Sequence, residues 1–142
     1  MWIIWALMAA FSAALVIILT KAGLKNVDSS LAFAIQSIFI LTITWGVVSF
    51  QGTFAGLKEI ESRTWILLIL AGVATSLSSL FSFKALSLGP ASYVATIERL
   101  SMVFVIVISI LFLKEKLTWQ LLVGASFMVG GAVLIAFSES SK

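Results

Sequence analysis

The sequence contains no histidine and no cysteine, and a single proline, Pro90, among its 142 residues. Without cysteine there are no disulfides, thiolate nucleophiles or thiolate metal sites; without histidine there is no imidazole acid–base chemistry and no imidazole ligation of zinc or haem. No metal, cofactor or catalytic residue is expected. Proton handling falls to carboxylates, lysine or tyrosine. Charge is scarce too, at 11% of residues against 61% apolar, where soluble domains hold about 25% charged and roughly 45–50% apolar. A soluble fold could not hide that much apolar surface. The net charge of +3 comes from Lys and Arg residues scattered singly along the chain, which argues against a nucleic-acid patch and for loop ends at a membrane surface.

Crossing a hydrocarbon core takes about 20 apolar residues in a helix. Five such runs stand out: about 2–20, closed by Lys21, Lys25 and Asp28; 30–50, closed by Gln51-Gly52-Thr53; 65–86; 91–113, closed by Lys114-Glu115-Lys116; and 118–137. A polar connector carrying Lys58, Glu59, Glu61 and Arg63 precedes the third run, and Gly89-Pro90 separates the third from the fourth. Proline suits a helix's first turn and disfavours helical geometry in the residue before it. The N-terminal Met1-Trp2-Ile3-Ile4-Trp5 lacks the positive region of a secretory signal, so the first run is expected to be a retained helix. In lipid each backbone amide must be satisfied within its own segment, which makes helices nearly obligatory. The expectation is an all-α integral membrane protein, one bundle of five transmembrane helices over residues 1–142. Trp5, Trp45, Trp65 and Trp119 lie toward the ends of their runs, as an aromatic belt requires.

Five crossings put the two termini on opposite faces. Lys58, Arg63, Lys114 and Lys116 then fall on one face, and Lys21, Lys25, Lys84 and Lys142 on the other. The positive-inside rule needs an excess to fix orientation, and this division supplies none. Either local effects select one topology or the chain inserts both ways.

A charge inside a membrane span costs about 2.5–3.5 kcal/mol on insertion scales and marks a functional site by default. Glu98 and Arg99 lie eight and nine positions past Pro90, roughly 12 Å into the fourth run at 1.5 Å per residue, near the midplane. Adjacent helical residues point about 100° apart, so each needs a partner elsewhere. The stems of Lys84 and Lys21 are long enough to approach Glu98 or to snorkel to the surface. Gln36, with Ser37 beside it, is the other polar residue of note, and Thr75, Ser76, Ser78, Ser79 and Ser82 make the third run rich in hydroxyls. Hydroxyls often bond to their own helix, however. Small residues recur every fourth position at Ala6, Ala10 and Ala14, at Ala71, Thr75 and Ser79, and at Ser126 and Gly130, a pattern that favours close helix packing.

Three stretches carry a family resemblance: Phe83-Lys84-Ala85-Leu86-Ser87-Leu88-Gly89-Pro90-Ala91, Glu98-Arg99-Leu100-Ser101, and Phe112-Leu113-Lys114-Glu115-Lys116-Leu117-Thr118. With Gly124, Gly130 and Gly131 they resemble the EamA-type repeat of the drug/metabolite transporter superfamily over essentially the whole chain. Typical members are similar to two such repeats in inverted topology; this chain resembles one repeat alone. The resemblance implies secondary transport by alternating access across a cell membrane, with the Lys114-Glu115-Lys116 loop of a conventionally oriented copy facing the cytoplasm. The chain departs from the pattern at Lys114, where glycine is more usual, and at Gln36, where a basic residue is more often expected.

Two copies, antiparallel, would replace the inverted repeats of a longer chain. The expected partners are thus a small polar metabolite, membrane lipid and a second copy, without nucleic acid. Glu98, Arg99, Lys84, Gln36, Ser79 and Ser101 are the candidate substrate or coupling-ion residues. A non-transporting scaffold or accessory subunit, in which Glu98 and Arg99 only lock the bundle, and a lipid-head-group flippase are the alternatives. No nucleophile–base pair is visible, so no enzyme is expected.

Overall fold

The computed structural model describes residues 2–114, 116 and 118–140; Glu115 and Leu117 of the loop motif, and Lys142 of the charge count, lie outside them. Five helices among the described residues are long and apolar enough to cross a membrane. In chain order the elements are α1 (Trp2–Gly23), α2 (Ser29–Gln51), a 3-10 segment (Thr53–Glu59), α3 (Ser62–Leu88), α4 (Ala91–Glu98), α5 (Ser101–Ile108), a π-helical turn (Ser109–Leu113) and α6 (Trp119–Ser140). The protein is all-helical with five spans, the fourth built from α4, α5 and the π turn. The chain forms two compact units, Met1–Leu88 and Gly89–Lys142.

In the first unit, local chemistry sets where helices start and stop. Asp28 caps α2, its Oδ1 accepting from the amides of Ser30 at 2.9 Å and Leu31 at 3.3 Å, which satisfies two of the donors that every helix start leaves unpaired. Gly52 ends α2 in the left-handed region at φ 66°, where the lack of a Cβ removes the steric penalty. The connector read as merely polar is instead ordered as the 3-10 segment, whose Phe54 stacks on Trp45 of α2 with centroids 5.6 Å apart. Helix α3 starts at Ser62, so Arg63 belongs to the helix and not to the loop. Helices α1 and α2 both pack on α3. Phe83 of α3 meets Phe33 of α2 edge-on at 5.3 Å, and Phe83, Leu86 and Leu24 are buried.

In the second unit, α6 packs on α4 and α5, with Val94 of α4 and Ala132 of α6 buried. Pro90 precedes the first residue of α4 at φ −63°, and the carbonyl of Pro90 accepts from Val94. At the far end of the fourth span, Lys114 adopts φ 53° and ψ 34°. That left-handed geometry costs a side-chain-bearing residue about 1–2 kcal/mol, which is the physical reason glycine suits the position. A Cβ added at Gly124, Gly130 or Gly131 meets nothing within 4 Å among the described residues. No described residue therefore packs closely against these glycines.

A broken fourth span and a polar cleft

The fourth span is not one helix. Helix α4 stops at Glu98 after eight residues and α5 starts at Ser101, and between them the backbone switches to i→i−3 hydrogen bonds: Arg99 to Thr96 at 3.2 Å, Leu100 to Ile97 at 3.0 Å, Met102 to Arg99 at 3.1 Å and Val103 to Leu100 at 3.0 Å. This tighter winding has poorer hydrogen-bond geometry, and within a helix it often marks a hinge. The break carries the two charges of the span. Glu98 ends α4, Arg99 follows, and Ser101 opens α5, all three exposed on the chain's own surface. Within this unit neither the Glu98 carboxylate nor the Arg99 guanidinium has a hydrogen-bond or ion-pair partner among the described residues. Ten residues further on, the chain relaxes the other way, into the π turn Ser109–Leu113.

The first unit offers a different feature. A cleft of about 410 Å³ lies between α1 and α2, walled by Val16, Leu19, Ile35 and Phe83 and given polarity by Thr20 and Gln36. The Thr20 hydroxyl donates to Gln36 Oε1 at 3.5 Å, a long and weak contact, and the Gln36 amide nitrogen has no acceptor among the described residues. Gln36 is half-buried. The cleft thus presents a neutral hydrogen-bonding group against apolar walls. Such a lining holds an uncharged polar group of a small ligand while its body packs on hydrocarbon.

The remaining sequence candidates fall apart from this cleft. Lys84 is exposed on α3, one residue past the cleft-lining Phe83. Ser79 is half-buried on the same helix. Thr75 and Ser76 donate to the carbonyls of Ala71 and Gly72 at 2.8 and 2.9 Å, and Ser126 donates to Leu122 at 2.8 Å; these hydroxyls serve their own helices. Lys21, weighed as a residue that could reach Glu98 or snorkel, donates from Nζ to the Leu86 carbonyl at 2.6 Å. There a cation sits at the negative end of α3. Sequence reasoning missed Thr20, Phe83 and the break itself. Thr20 closes an apolar run and reads as a boundary, while the break contains neither glycine nor proline.

Comparison with known proteins identifies relatives of the chain. Residues 1–137 match the EamA-like transporter family. A Sinorhizobium sp. protein described as an "Uncharacterized transporter in cobO 3'region" is 39% identical over 135 residues, covering 95% of this chain and 96% of that protein. No solved structure matches the chain. With the family match spanning nearly its whole length and a relative of the same extent, the chain belongs to the EamA-like transporter family.

Proposed function

We propose that the protein is a secondary transporter of a small polar metabolite, neutral or zwitterionic, working by alternating access as an antiparallel homodimer in the cytoplasmic membrane, and not an enzyme. The observation that carries this reading is the interruption of the fourth span at Glu98–Arg99. Irregular backbone at membrane depth is tolerated where protein or water covers it, and in secondary transporters broken helices form the substrate and ion sites. Charges at such a break cost less than in lipid, because water or a second copy solvates them. Glu98 is the coupling carboxylate, able to take up and release a proton where the chain has no imidazole. Arg99 balances its charge or holds an anionic group of the substrate. Gln36 and Thr20 supply the neutral hydrogen bonds of the cleft.

Two further observations support assembly with a second copy. The glycines of α6 are open among the described residues, and Ala6, Ala10 and Ala14 of α1 are all exposed. Two copies of opposite orientation also suit the even division of positive charge over the two faces.

Proteoliposomes carrying the purified chain and an imposed proton gradient test the reading. Uptake of at least one class of labelled small metabolite is expected, collapsing when a protonophore dissipates the gradient. Absence of gradient-dependent flux across amino acids, sugars, nucleosides and small carboxylates, with the protein folded and dimeric, would instead favour a scaffold.

A further inference from the structure

A second groove of the first unit, about 340 Å³, opens where α1 and α3 end, lined by Ile18, Lys21, Ala22, Leu24, Lys25 and Ser87. Its lining is mostly apolar and includes two lysines, four residues apart in sequence. One of the two has a structural explanation, because Lys21 donates to the Leu86 carbonyl at the end of α3. Lys25 has none. It is exposed in the turn after α1 and makes no ion pair or hydrogen bond among the described residues. The acid of that turn, Asp28, turns its Oδ1 to the amides that start α2, and no carboxylate lines the groove. The Ser87 hydroxyl donates to the Lys84 carbonyl at 2.7 Å, so the lysine ammonium groups are what the groove offers an anion.

Position identifies the anion. Helices α1 and α3 span the membrane, so their ends stand at the level of the lipid head groups. We propose that this groove binds an anionic phospholipid, with Lys25 donating to a phosphate oxygen, the charge of Lys21 beside it, and Ile18, Ala22 and Leu24 taking the start of an acyl chain. A basic pocket between membrane helices recognises such head groups. A free phosphate would use the lysines but leave the apolar lining uncovered, which favours the lipid.

Native mass spectrometry of the full chain, released from nanodiscs holding equal amounts of phosphatidylglycerol and phosphatidylcholine, tests the assignment. The native sequence is expected to retain phosphatidylglycerol preferentially. Lys25→Gln should lower that retention about fivefold, the effect of one surface lysine on anionic lipid binding, and Lys25→Arg should restore it. Lys58→Gln, in the same unit but outside the groove, should change nothing. Equal retention of the two lipids, or an equal loss in Lys58→Gln, would overturn the site. Displacement of the bound phosphatidylglycerol by equimolar inorganic phosphate would overturn the lipid assignment in favour of a free anion.

Discussion

The third and fourth spans follow each other directly in the chain and are almost equally apolar, yet one is a single helix and the other is in pieces. Helix α3 runs unbroken for 27 residues through the densest cluster of hydroxyls in the sequence. The α-helix of the fourth span halts at Glu98, resumes at Ser101 and loosens into a π turn at Ser109. The difference follows from what each polar group can do in an apolar setting. A serine or threonine satisfies itself on the carbonyl one turn back, as Thr75 and Ser76 do, and leaves the helix intact. A carboxylate or guanidinium has no such local answer. Its solvation must come from outside the helix, and the backbone tightens to i→i−3 bonding where it lies.

The sharpest way to break this comparison is to remove the charge from the break. Glu98→Gln is expected to lower proton-driven uptake in proteoliposomes at least about tenfold, within the usual reach of a positioned acid–base group, while far-UV circular dichroism stays unchanged. Transport at the native rate would take Glu98 out of the coupling role. Next comes the buried end of α3. Leu86, 2% exposed, should cost about 2–4 kcal/mol on truncation to alanine, as in other well-packed sites, measured by unfolding in mixed micelles. A smaller gain is expected at Lys114, where Lys114→Gly relieves the left-handed backbone and should stabilise by about 1 kcal/mol; a fall in the unfolding midpoint would contradict the strain argument. Smallest of all is Thr75→Ala, whose hydroxyl bonds only to its own helix, expected within about 0.5 kcal/mol of the native stability and without effect on uptake.

Much of the fold was legible in the sequence, because span length and charge boundaries are properties of single segments. The fourth run, read as 91–113, coincides with the observed span Ala91–Leu113, and the glycine preference at Lys114 reappears as a positive φ. The 3-10 segment after α2 was not legible, since the stacking of Phe54 on Trp45 that accompanies it depends on the turn that Gly52 makes. Nor was the break, because helix punctuation is normally read from glycine and proline, and here it coincides with adjacent charges. Gln36 was noticed for its polarity and as a departure from the family pattern; its cleft needs Thr20 from another helix and Phe83 from a third. The small-residue faces were read as surfaces for close helix packing, that of Ser126 and Gly130 as one that could serve a neighbouring subunit, and the α6 glycines stand open among the described residues.

Because the chain has no native cysteine, the central claim, that water reaches the fourth span at its charges, can be tested by single-cysteine accessibility. Ser101→Cys and Leu100→Cys at the break, and Val73→Cys within unbroken α3, would be exposed in the membrane to an impermeant thiol reagent. The account predicts labelling at positions 100 and 101 that changes when a proton gradient is imposed, and none at position 73. Equal protection at all three positions, in protein that is folded and reconstituted, would contradict it.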